Sequence, residues 1–93
     1  MTVVVSAIEL HLPAPSSLKD KRRILKSVIE RLQHHYNVSI AEIGDHELWQ
    51  RAAIGVACVG RDRQPTLRVM DQVIGFIRRN PEVELIRHET QVV

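Results

Sequence analysis

Five basic side chains, Lys19, Lys21, Arg22, Arg23 and Lys26, fall within eight positions of the stretch SSLKDKRRILKSVIERLQHHY, residues 16–36. Cations that share one face of a helix can engage successive phosphates. Each phosphate they neutralise releases counterion, so binding of this kind weakens as salt rises. With Leu18 set at zero on a helical wheel, Arg22, Lys26, Lys19 and Arg23 lie at roughly 40°, 80°, 100° and 140°. Lys19, Arg22, Arg23 and Lys26 therefore make one outward stripe, the candidate RNA or phosphate contact. Lys21 is expected off that stripe, near the apolar edge. The free N–H groups of a helix start also suit an anion. Cations in the first two turns oppose the helix dipole at up to about 1 kcal/mol each, and a cost without local benefit argues for use. The plainer alternative is a solvated face on which Lys26 pairs with Glu30 at i,i+4.

A second candidate is Trp49 with Arg51. A Trp at the mouth of a strand more often closes a core, because Trp is largely buried on average. Left exposed beside Arg51, it would serve as a partner-binding anchor, since both residue types are enriched at binding hot spots. The remaining chemistry is thin. The five His include the adjacent pair His34-His35, which diverge on a helix, and no H-x-x-x-H spacing occurs, so no metal site is expected. Asp45-His46-Glu47 has the polarity of a turn. A small enzyme using His46 or the loop after the first strand is the weakest reading, because no nucleophile with a partnered base is visible. That loop, PAPSS, also lacks a Gly-rich phosphate cradle. Neither a catalytic residue nor a cofactor is expected.

Thirteen Lys and Arg against eleven Asp and Glu leave a net charge of only +2, so a basic site must come from clustering rather than from bulk charge. Hydrophobic residues are 44% of the 93, enough for one core, and residues 1–93 read as a single domain. Cys58 has no partner for an internal disulfide and sits in an apolar run, as a buried thiol in a reducing compartment would. No stretch has the apolar length to span a bilayer. MTVVVSAIELHL lacks the basic head and cleavage pattern of a signal peptide, so the expected location is the cytoplasm, with no membrane contact.

The elements that would position these residues follow from periodicity. VVVSAIELHL (3–12) is apolar on both alternating faces, as a central strand is, and Pro13 and Pro15 end it. Ser16 or Ser17 offers an N-cap, with Asp20 at the capping-box position after Ser17. The helix that follows runs to about Tyr36, with Leu18, Leu25, Val28, Ile29 and Leu32 as its apolar stripe. NVSIAEI (37–43) reads as an edge strand, and Gly44-Asp45 opens a hairpin connection. RAAIGVACVG (51–60) is a second central strand. Pro65 suits the first turn of a second helix, capped near Asp62 or Gln64, with Leu67, Met70, Val73, Ile74 and Ile77 inward and Asn80-Pro81 as its stop. VELIRHETQV (83–92) is the last edge strand. The order β-α-β-β-α-β predicts an α+β, ferredoxin-like sandwich with two helices on one face of a four-stranded antiparallel sheet. Its other face would carry Val3, Val5, Ala7, Ala53, Gly55, Ala57 and Val59, an apolar surface of small side chains that usually marks an interface.

LHLPAPSSLKDKRRILKSVIERL and NVSIAEIGDHELWQRAAIGVACV together resemble the small bacterial YlxP-like family, a domain of unknown function. The parts that carry the likeness are Ser17-Leu18-Lys19, Lys21-Arg22-Arg23, Val38 with Ala41-Glu42, and Trp49-Gln50-Arg51-Ala52. The resemblance implies a ferredoxin-like fold. Members are often encoded near translation-initiation and ribosome-maturation genes, which implies RNA or ribosome work; the family supplies no catalytic residues. The sequence thus points to a non-enzymatic protein whose first helix contacts ribosomal RNA or the ribosome. Base stacking on the sheet is not expected, because the central strands hold no Phe, Tyr or Trp. The alternative is a structural or regulatory homodimer that binds its twin, a protein partner or a small ligand through the open sheet face.

Overall fold

The computed structural model describes residues 1–93. The β-branched run at the start forms strand β1, Thr2–His11, and Arg51–Gly60 forms β3. These two pair antiparallel along their whole length, from Thr2↔Gly60 to His11↔Arg51. Strand β2, Val38–Gly44, adds to the far side of β3, and β4, Glu84–Val92, adds to β1. The sheet order is β2-β3-β1-β4 and every pairing is antiparallel. Helix α1, Leu18–His35, leads from β1 to β2, and helix α2, Arg63–Arg79, leads from β3 to β4. This is a ferredoxin-like α+β fold, with the central and edge strands as expected and boundaries within one residue.

The core lies between the helices and one sheet face. Val4, Ile8 and Leu10 of β1 and Ala52, Ile54, Val56 and Cys58 of β3 meet Ile24, Leu25, Val28 and Leu32 of α1 and Met70, Val73, Ile74 and Ile77 of α2. The alternate residues of the central strands, Val3, Val5, Ala53, Gly55 and Ala57, are only half-buried and Ala7 is exposed, because nothing covers that face. The two-sided apolar pattern of β1 and β3 thus has one side in the core and one at the surface. β4 does not alternate in burial: Leu85 is half-buried, but His88 and Thr90 are exposed although they pair with the inward Ile8 and Ser6. α2 packs mainly on β1 and β3 and leaves this edge thinly covered.

The helix starts are fixed locally. Ser17 is the N-cap of α1, its Oγ accepting from Asp20 N at 3.1 Å, while Ser16 Oγ donates to Asp20 Oδ2 at 3.3 Å. In α2 the N-cap Asp62 makes no side-chain cap bond; Thr66 Oγ1 instead donates to Asp62 O at 2.6 Å. This buries Thr66 and leaves Leu67, expected in the stripe, half-buried. A Cβ on Gly60 would stand 2.2 Å from that hydroxyl oxygen, so the β3–α2 turn needs glycine there for space.

Candidate functional site

Lys19, Arg22, Arg23 and Lys26 are all exposed on α1. Of the four, only Lys26 has a carboxylate within 4 Å, Glu30 Oε1 at 3.9 Å, and that pair is 77% and 64% exposed. A solvated i,i+4 pair of this length contributes a few tenths of a kcal/mol at most and does not neutralise the stripe. Lys19, Arg22 and Arg23 make no ion pair. The groove between α1 and the β2 edge, about 360 Å³, holds Arg22 and Lys26 together with Glu30 and Glu42. Carboxylates therefore line the inner flank, and the cationic surface is the outer one.

Lys21 lies elsewhere than expected. At roughly 300° on the wheel it falls inside the core stripe, between Val28 and Leu32, and its side chain is 0% exposed. A buried ammonium needs partners. Its Nζ donates to the carbonyl of Asp45 at 2.6 Å and lies 3.0 Å from Glu42 Oε2. Glu42 Oε2 accepts no well-aligned hydrogen bond, so its attraction to Lys21 is Coulombic rather than directional. The contact ties the first turns of α1 to the end of β2. Ile24, also missed in the sequence, fills the stripe beside it.

Asp45 sits in the left-handed region, φ 59°, which turns the chain out of β2. Its carbonyl accepts from Lys21 and also from Leu48 N at 3.1 Å. At the other end of the loop, Gln50 Nε2 donates to Pro13 O at 2.9 Å, and Gln50 O accepts from Leu12 N at 2.9 Å. Trp49 stands between these two clamps and is 52% exposed, so it does not close the core. Arg51 is exposed beside it at the start of β3. With Glu47, Leu48 and Gln50 they line a shallow hollow of about 400 Å³. The structure brings the basic helix and the Trp49 loop together through Lys21, a link the sequence did not reveal because a Lys in a basic run gives no sign of turning inward.

The open sheet face is a third feature. Val5, Ala7, Ala41, Gly55 and Ala57 floor a depression of about 420 Å³. A Cβ on Gly55 would meet Ile43 Cγ2 at 3.2 Å, so Ile43, itself exposed, lies over this glycine. Cys58 points the other way, into the core, and burial pushes its thiol above the ordinary range. No helix is long and apolar enough to cross a membrane.

Comparison with known proteins agrees with this architecture. Residues 3–90 match the family described as "Protein of unknown function (DUF503)". The chain belongs to that family. Within it, the uncharacterized protein YlxP of Bacillus subtilis (strain 168) is 44% identical over 68 residues, which are 73% of this chain and 74% of that protein. Among solved structures, the de novo designed protein Foldit4 superposes with a TM-score of 0.52, covering 100% of this chain and 97% of its own at 15% identity. That likeness speaks for the fold alone. The family's description names no activity, so the site rests on its geometry.

Proposed function

We propose that the protein is a cytoplasmic, non-enzymatic RNA-binding protein that docks on ribosomal RNA or the ribosome through α1. Lys19, Arg22, Arg23 and Lys26 are its phosphate contacts. One observation carries this reading: of the five cations in the run, the one used by the core is turned inward, and three of the four outward ones have no carboxylate partner. Free guanidinium and ammonium groups on one helix face suit a polyanion and give affinity without base readout. The test is to replace all four with Glu and measure binding to ribosomal subunits and to structured RNA over a salt series. Wild type should lose affinity steeply with salt, by up to about 0.9 log units per log unit of salt for each phosphate contact, and the variant should bind far more weakly. Unchanged affinity in the variant, or a wild type without a salt slope, removes the reading.

A second reading is favoured by the uncovered sheet face, whose central residues are small and apolar. An exposed patch of that kind suits a second copy of the chain or a protein partner. The two readings are separable by sedimentation, since a strict monomer that binds RNA disfavours the second.

A further inference from the structure

Trp49 is the only Trp in the chain, and its half-exposed ring is not explained by packing. Its loop is held at both ends. Asp45 O is fixed by Lys21 Nζ and Leu48 N, and Gln50 by Pro13 O and Leu12 N. An exposed ring on a clamped loop is pre-organised, so a flat ligand laid on it orders little chain. The clamp at Asp45 comes from α1 itself. Lys21 lies in the first turns of α1, where the cationic stripe also begins, so the loop that carries the ring is anchored at that end of the helix. Arg51 and Glu47 line the hollow beside the ring, offering donors and an acceptor.

Resting on the RNA reading above, we infer that Trp49 is a stacking platform for an unpaired base whose flanking phosphates lie on the α1 stripe. The ligand class is then RNA with single-stranded nucleotides, in a loop, bulge or end, rather than a continuous duplex. In a duplex the base faces are already stacked, and A-form grooves present edges, hydroxyls and phosphates instead. A single-stranded segment leaves its π-faces free, and every base has one, so the platform adds affinity without sequence choice. The stripe from Lys19 to Lys26 is about 10 Å long at helical rise, room for a short run of phosphates.

Because no second Trp contributes, the fluorescence of Trp49 reports on this contact directly. The probes are a single-stranded RNA 12-mer of mixed sequence and the blunt duplex of the same sequence, titrated at low salt into wild type, Trp49→Ala and Trp49→Phe. The single strand should quench the wild-type emission and the duplex should not. Trp49→Ala should bind the single strand roughly 10- to 100-fold more weakly, a usual range for loss of one stacked base, while its duplex affinity stays within about twofold and its salt slope is kept. Trp49→Phe should recover most of the lost affinity. Absence of quenching, or equal loss on both probes with the far-ultraviolet spectrum intact, overturns the platform. If that happens while the four-Glu variant still loses binding, the basic helix stands and only the stacking falls. A wild type that binds neither probe sinks both. Trp49-dependent capture of a protein without any response to RNA assigns the ring to a protein contact instead and also overturns the platform.

Discussion

A lysine inside an apolar stripe is tolerated only if its charge is answered, and Lys21 is answered by one carbonyl and one carboxylate. Removing one side of a buried pair strands the other, at about 3–5 kcal/mol when fully enclosed. Glu42 keeps some solvent contact, so Lys21→Met should cost about 3 kcal/mol in urea unfolding, and Lys21→Met with Glu42→Gln should cost less than the single change. Additive losses would mean that the two groups do not interact. The same Met variant should free the Trp49 loop and broaden its emission. Toward the other end of β3, Cys58 gives a pH dependence. Its folded pKa lies above the unfolded thiol value of about 8.5 because burial disfavours the thiolate. The folded state therefore holds the proton longer. This contribution is whole below the unfolded pKa and is lost as pH rises from there through the folded value. Cys58→Ala lacks that slope. The stability gap between wild type and Cys58→Ala should narrow as pH rises above about 8.5, and a constant gap would contradict the shift.

At the level of elements, α1 carries two demands along one cylinder, and they conflict where it begins. Lys19 is the second helical residue, where the dipole prefers an acid. Lys19→Glu should therefore raise the melting temperature by about 2–6 °C, since 0.5–1 kcal/mol moves a chain of this size by that much. The same change should weaken RNA binding. A substitution that stabilises and disables together is the signature of a residue kept for contact rather than for folding; a fall in melting temperature would say the opposite. The elements themselves were largely legible. β3 was bounded to the residue because its run, apolar on both faces, is closed by Arg51 and Gly60. The cap at Ser17 was legible because hydroxyl and acid stand three apart. Lys21 was not, because charge is read as a surface mark and only its wheel angle, in the middle of the stripe, could have corrected that. For Trp49 the sequence left a core lid and an exposed partner anchor both open, because the hydrogen bonds that hold its loop outward come from Lys21, Pro13 and Leu12, far away in sequence.

For the molecule as a whole, the question left by the fold is what covers the face without helices. The sequence implied that face correctly, because alternation along two central strands must send small apolar residues both ways, and only one layer of helices follows in the chain. It could not say whether the face stays open. Three strands at about 4.8 Å spacing, with β1 and β3 about 33 Å long, offer a few hundred Å² of floor, below the roughly 800 Å² that each partner buries in an interface of standard size. The rim toward β4 is charged, with Arg87 Nε 3.1 Å from Glu9 Oε2. A sheet-to-sheet pairing over this area would be weak and reversible, favoured by apolar contact at the centre and guided in register by the charged border. A twofold axis through the floor would set the residues of the β3 centre against their own copies. Ala57→Glu should therefore bring two carboxylates face to face and hold the protein monomeric, without touching the core, because Ala57 points away from the helices. Sedimentation of wild type from about 1 to 200 µM should show the sedimentation coefficient rising with concentration, and Ala57→Glu should flatten it. A wild type that sediments as a monomer throughout leaves the open face without a twin and removes the homodimer reading.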